Sequence, residues 1–321
     1  MDAVADDMAR ALLAGERPAL SRTITWAENA DARFAATLAR LYPRVGHAWR
    51  IGVTGPPGAG KSSLASALIE KLRERGTVGV LAIDPSSPYS GGALLGDRIR
   101  MEERTTDPGV YIRSMATRAS HGGLARAAVD ALDVMDAFGF DWLLVETAGV
   151  GQTEYEIAGA ADTVLVVLCP GAGDGIQAMK AGLLEVADVL VVNKSDLPGA
   201  EQLATDLEDA LQLRALSRSR ARPRPSAVVP VSAHTGAGLD ALLAAIDAHR
   251  RALEAGDLAA ARREKRIRQV RRVVGERLEE ALWGPEGHTE RAAELLGKSR
   301  TPYDVADELL SAILSAPRDR A

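Results

Sequence analysis

Cysteine is almost missing from this 321-residue chain, with Cys169 the only one. A single thiol excludes an internal disulfide and most thiolate metal centres, and it suits a reducing compartment. Histidine is scarce too, at five scattered residues. Long hydrophobic runs are lacking: the longest have strand length, which excludes a transmembrane helix. The start, "MDAVADDMARALLAG", is acidic and has no long apolar core, so it does not read as a secretory signal. Neither sign of charge dominates, with 39 basic and 44 acidic residues and a net charge of −5. Nothing in that balance calls for nucleic acid. Cytoplasm is the expected location, with neither a membrane nor a nucleic-acid partner. The remainder is ordinary for a soluble globular protein, at 46% hydrophobic and 26% charged. The length suffices for one large α/β domain with helical additions.

What is present begins with "GVTGPPGAGKSSL" at 52–64. Its core, Gly55 to Ser62, is a glycine, four residues, then Gly-Lys-Ser, the phosphate-loop spacing. Glycines let backbone N–H groups turn inward around phosphate oxygens, and the next helix adds its positive end. Gly58, Ala59, Gly60, Lys61, Ser62 and Ser63 are the expected phosphate contacts. Lys61 is expected to bridge β- and γ-phosphates, and the Ser62 hydroxyl to ligate magnesium. A glycine-rich turn carrying a lysine by chance is the bland alternative. The flanking strand-like "WRIGVTG" and helix-like "SSLASALIEKLRERG" argue against it.

Residues 1–48 read as three helices, with Pro18 near the start of the second. From 50 onward strand-like and helix-like segments alternate, which predicts βαβ units and a parallel sheet. The expected strands are "RIGVTG", "VGVLAID", "VYIRSM", "WLLVETAG", "TVLVVLCPG", "VLVVNKSD" and "SAVVPVSA". Most are continuous apolar runs, as befits strands covered on both faces. Helices are expected near 61–75, 121–138, 199–213 and 236–253, and helices alone after 256. The division is a helical extension at 1–48, a nucleotide-binding domain at 49–255 and a helical arm at 256–321. "SRSRARPRPS" at 217–226 reads as a short basic loop.

The strand "VLVVNKSD" ends in Asn193, Lys194, Ser195 and Asp196. An aspartate there accepts two hydrogen bonds from guanine N1–H and the exocyclic amine, which adenine lacks. Lys194 lays its stem over the purine, and Asn193 ties this loop to the phosphate loop. The tetrapeptide alone is weak, because such residues are common in turns; after a phosphate loop and at a strand end it is strong. "PVSAHTGAGL" supplies Ser232 and Ala233, whose backbone N–H groups could reach the guanine carbonyl. GTP, rather than ATP, is the expected nucleotide. In "WLLVETAGVGQTE", Glu146 closes a strand where a carboxylate meets magnesium directly or through water. Gly149 offers its N–H to a γ-phosphate. The next position, where Ras-like proteins place a water-orienting glutamine, is Val150, so intrinsic hydrolysis should be slow. Gln152 and Glu154 read either as functional groups or as a solvated loop. Asp84 ends the second strand at the phosphate end of the sheet. Asp97, with Arg100, lies beyond a Gly/Ser/Pro-rich segment. It reads either as part of a switch loop near the metal or as a helix-capping aspartate.

"GPPGAGKSS", "LAIDPSSPYSGGALLGDRIRM", "VETAGVGQTE", "PGAGDGIQAMKAG" and "NKSD", with helical flanks, resemble the MeaB/ArgK/MMAA family of GTPases over nearly the whole chain. The second and fourth stretches are the most specific. The resemblance implies a P-loop NTPase fold of the SIMIBI class and GTP hydrolysis to GDP and phosphate with Mg²⁺. It implies a chaperone that gates adenosylcobalamin loading of an acyl-CoA mutase of the methylmalonyl-CoA type, with a cobalamin adenosyltransferase as a further partner. It places the magnesium and catalytic carboxylates on Asp84, Asp97 and Glu146. A third switch falls in "PGAGDGIQAMKAG", with Gln177 and Lys180 as signalling residues and Lys180 as a candidate catalytic group. It also implies a homodimer through the carboxy-terminal arm. Seven basic residues between 262 and 272 could suggest nucleic acid. Ile267, Val270, Val274 and Leu278 instead make an apolar stripe at helical spacing, which favours a packing face. A nickel or cobalt metallochaperone GTPase is the alternative, but such proteins usually need a His-rich tract or paired cysteines. A small-molecule kinase or a non-hydrolysing scaffold are the other classes.

Overall fold

The computed structural model describes residues 2–85, 107–117, 123–147, 159–171, 183–216, 227–284, 287–298 and 300–315. Three helices come first: α1 (Asp2–Leu13), α2 (Arg17–Glu28) and α3 (Ala32–Leu41). Pro18 sits in the first turn of α2, where its missing N–H has no helical partner to lose. Asp31 caps α3, accepting a hydrogen bond from the Arg33 backbone N–H. The strands are β1 (Trp49–Thr54), β2 (Val78–Pro85), β3 (Val110–Thr117), β4 (Trp142–Thr147), β5 (Thr163–Leu168), β6 (Val189–Asn193) and β7 (Val228–Val231). Helices α4 (Lys61–Arg73), α5 (Gly123–Phe138), α6 (Ala200–Leu216) and α7 (Leu239–Ala255) alternate with them.

Among the described residues the seven strands form one sheet in the order β3-β2-β4-β1-β5-β6-β7, and each pairing is parallel. Both faces are covered, which explains the continuous apolar runs. On β4, Leu144 joins Leu64 and Leu68 of α4 and Leu242 and Ile246 of α7. Its neighbours Leu143 and Val145 join Leu20 and Ile24 of α2 and Leu132 and Met135 of α5 on the other face. Burying each such side chain stabilises the fold by about 1.5–3 kcal/mol. β1, β4, β5, β6 and β7 stop earlier than their predicted segments, whereas β2 and β3 run on to Pro85 and Thr117. β6 ends at Asn193 because Lys194 adopts a left-handed backbone (φ +58°), and α7 starts at Leu239 behind Gly238 (φ +77°).

The chain divides into two compact units, residues 1–262 and 263–321. The amino-terminal helices therefore share a unit with the sheet. The boundary cuts α8 (Leu258–Trp283); α9 (Thr289–Gly297) and α10 (Pro302–Ser315) follow. On α8, Ile267, Val270 and Val274 are about half exposed in this chain. No described helix is long and apolar enough to cross a membrane.

Candidate functional site

The phosphate loop leaves the carboxyl end of β1 and enters α4. Three of its glycines have positive φ: Gly55 (+141°), Gly58 (+81°) and Gly60 (+84°). At two of them glycine is also a steric requirement. A Cβ at Gly55 would collide with the Val167 carbonyl oxygen, and one at Gly60 with the Asn193 side-chain amide. The loop thus packs tightly against β5 and the end of β6. At Gly60 the left-handed backbone starts α4, whose first N–H groups lack intrahelical partners and favour an anion.

Lys61 is buried, and its ammonium donates to the carbonyls of Gly55 at 2.9 Å and Pro56 at 3.0 Å. The Ser62 hydroxyl donates to Glu146 Oε1 at 2.6 Å. β1 and β4 are adjacent, with Val53 opposite Glu146, so the strand pairing itself brings this carboxylate to the loop. A hydroxyl and a buried carboxylate side by side are hard oxygen donors of the kind magnesium prefers. Ser62 and Glu146 therefore fit the implied cation. Asp84 lies near the carboxyl end of β2, two residues beyond Ala82, which pairs with Glu146. The Thr54 and Thr147 hydroxyls, 3.1 Å apart, clamp the ends of β1 and β4. Nothing in the sequence marks them, since threonine is common in strands.

The second loop closes onto the first. Asn193 Nδ2 donates to the Ala59 carbonyl at 2.9 Å and the Gly60 carbonyl at 3.3 Å, and its Oδ1 accepts from the Ala233 N–H at 3.1 Å. Lys194 Nζ donates to the Gly58 carbonyl at 2.8 Å. Asp196 is exposed and its carboxyl is held below the usual carboxylate range, first by a hydrogen bond from the Ser232 side chain and then by its own backbone N–H. Ser232 is buried. Its role here differs from the sequence expectation: its backbone N–H donates to Ala237 O at 2.9 Å, while its hydroxyl steadies Asp196. The Ala233 N–H is likewise engaged, by Asn193. Cys169 is buried under the phosphate loop, with its Sγ 3.8 Å from Gly58 O. Its position at the end of β5 gave no sequence signal. Ser63 occupies the first turn of α4. Asp97, Arg100, Gly149, Val150, Gln152, Glu154, Gln177 and Lys180 lie outside the described residues, as does the basic loop at 217–226.

A phosphate loop, a guanine-type loop bonded to it and a carboxylate at the serine together define a P-loop nucleotide site on a parallel sheet. Residues 20–286 match the family described as methylmalonyl Co-A mutase-associated GTPase MeaB. The chain belongs to the MeaB family. It is 35% identical to the GTPase ArgK of Escherichia coli over 286 residues, covering 86% of each chain. A Pyrococcus horikoshii protein is 42% identical over 315 residues, covering 96% of this chain and 98% of its own. The methylmalonic aciduria type A homolog of Mus musculus, a mitochondrial protein, is 34% identical over 276 residues, 80% of this chain and 66% of its own. Among solved structures, a LAO/AO transport system kinase superposes with a TM-score of 0.73 at 27% identity, covering 98% and 99% of the two chains. As a member of the family the chain is a P-loop GTP hydrolase that binds GTP and GDP.

Proposed function

We propose that this MeaB-family GTPase is a chaperone whose nucleotide state gates adenosylcobalamin loading of an acyl-CoA mutase of the methylmalonyl-CoA type. The observation that carries this reading is the match to a mutase-associated GTPase family over residues 20–286, spanning both nucleotide loops. Lys61 exchanges the carbonyls of Gly55 and Pro56 for β- and γ-phosphate oxygens. Asp196 reads guanine, steadied by the Ser232 hydroxyl. Ser62 and Glu146, with Asp84 and Asp97, hold magnesium. Magnesium held by these residues would supply charge neutralisation on the phosphate oxygens. Glu146 and Asp97 are the carboxylates placed to orient the attacking water, and Gly149 senses the γ-phosphate. Gln177 and Lys180 carry the signal to the mutase, Lys180 also serving catalysis once the partner docks.

Val150 follows Gly149 where a water-orienting glutamine would stand, so basal turnover is slow and the mutase accelerates it. A cobalamin adenosyltransferase delivers the cofactor. The carboxy-terminal arm, 256–321, forms a homodimer through α8, whose half-exposed Ile267, Val270 and Val274 favour a protein partner over solvent. The compartment is cytoplasmic.

The test is single-turnover phosphate release with and without an adenosylcobalamin-dependent mutase. Acceleration by the mutase, lost in Gln177→Ala and Lys180→Ala while GTP affinity holds, is the expected outcome. Couplings of this kind are about 5- to 150-fold. A rate indifferent to every mutase of this class rejects the chaperone reading and leaves the GTPase intact.

A further inference from the structure

A cavity of about 430 Å³ opens between the residues that lead into the strands. Asp141 and Trp142 begin the β4 segment, Arg75 precedes β2, and Arg44 and His47 precede β1. This is the amino end of a parallel sheet whose carboxyl end carries the phosphate loop. The cavity lies wholly within the unit 1–262 and shares no residue with the nucleotide site. Its size falls within the range of small-molecule sites, roughly 300–1,000 Å³.

Its lining joins aromatic surface to guanidinium groups. Phe140 and Trp142 are buried aromatic walls. Arg250 lies over two indoles, with its guanidinium carbon 5.1 Å from the Trp49 ring centre and 5.4 Å from that of Trp142. A cation over two indole faces is drawn to them by the ring quadrupoles, which positions the guanidinium before any ligand arrives. Arg75 and Arg250 each hold a neighbouring carboxylate through a single contact, to Asp247 and Glu254. A guanidinium has five N–H donors, so most of each fork stays available. Arg44 is exposed and makes no hydrogen bond or ion pair among the described residues.

The two carboxylates in the lining are already engaged. Asp136 accepts from the backbone N–H groups of Gly46, His47 and Ala48 and from Arg50. Asp141 accepts from the Thr77 N–H at 2.7 Å and its hydroxyl at 2.8 Å. Donors thus outnumber acceptors toward the cavity, and several converging guanidinium groups suit the oxygens of a phosphate.

We propose that this cavity is a second ligand site, taking a phosphorylated compound of nucleotide size whose planar ring packs against the partly exposed guanidinium of Arg250, itself seated over Trp142. The proposal is independent of the chaperone reading. The probe is adenosine 5′-monophosphate, titrated calorimetrically into protein saturated with GDP and magnesium so that the phosphate loop is filled. Saturable one-to-one binding is expected, at least tenfold tighter than that of inorganic phosphate or adenosine alone, with a change in tryptophan fluorescence. Arg44→Ala and Arg75→Ala should each weaken it about tenfold, the worth of a charge-assisted hydrogen bond. Both side chains are at the surface, and basal GTP hydrolysis should be unchanged in both variants. Absence of saturable binding, equal affinity for inorganic phosphate, displacement of GDP by the probe, or indifference to both substitutions would each overturn the proposal.

Discussion

Asn193 holds the phosphate loop from the end of another strand, its side-chain amide 2.9 Å from the Ala59 carbonyl across 134 residues of sequence. The same side chain also engages Gly60 and Ala233, so one buried amide fixes three segments. Asn193→Ala leaves those groups without their partner, at a cost of about 1–3 kcal/mol. A lower melting temperature, together with weaker GTP binding by calorimetry, is expected. A variant that matches the parent in both measurements rules out this bracing role.

Asp196→Asn should weaken GTP and improve xanthosine triphosphate, because the hydrogen-bond polarity toward the base reverses. Truncating one partner of a charge-assisted pair costs about 2–5 kcal/mol. Ser232→Ala should weaken GTP less, since it removes only the hydroxyl that steadies the carboxylate. Equal GTP affinity in the parent and Asp196→Asn would sink the guanine assignment.

Arg50 bridges β1 to α5 by bonding Asp133 and Asp136, each at 2.8 Å, with all three side chains buried. Its pKa is raised by the two carboxylates despite its burial. Losing one partner of a buried pair typically costs 3–5 kcal/mol. Asp136 remains in Asp133→Ala, so a loss near the lower end, about 3 kcal/mol, is expected in denaturant unfolding. A loss within about 0.5 kcal/mol, typical of surface changes, contradicts a structural role for the bridge.

Asp31 has its carboxyl lowered to about 2, first by the Arg33 side chain and then by the Arg33 backbone N–H it caps. A carboxylate depressed on folding contributes stability above its ordinary value near 3.8 and loses it as pH falls through the folded value. The cap of α3 should therefore persist at pH 4 and fail between about 4 and 2. NMR titration of the Asp31 carboxyl carbon should give a midpoint well below 3.8 that rises with salt, since the pair is partly exposed. A midpoint near 4 at low salt refutes the pairing.

The nucleotide loops were legible because their chemistry is local. A phosphate loop needs its glycines, lysine and serine in one run, and "NKSD" carries the asparagine that bonds this loop beside the aspartate expected to read guanine. The α/β class was equally legible, because strands covered on both faces must be apolar throughout. Ser62 and Glu146 were each named from sequence, yet their contact depends on β1 lying beside β4. The Ser232 hydroxyl reaching Asp196 was missed because only the backbone of that turn carries a motif.

What the sequence determined by itself was therefore the set of short-range devices: the phosphate turn, the asparagine loop bonded to it and the parallel class. The tertiary structure decided everything that rests on which strands are neighbours. The order β3-β2-β4-β1-β5-β6-β7 is invisible to local pattern, since any order satisfies the same alternation of apolar strand and amphipathic helix. That order sets Glu146 beside Ser62, buries Arg50 against Asp133 and Asp136, and gathers Arg44, Arg75, Trp142 and Arg250 at the opposite end of the sheet. The stripe on α8 shows the same division. Its helical spacing is a property of the sequence, but whether it is covered depends on what packs there, and in this chain Val270 remains 61% exposed.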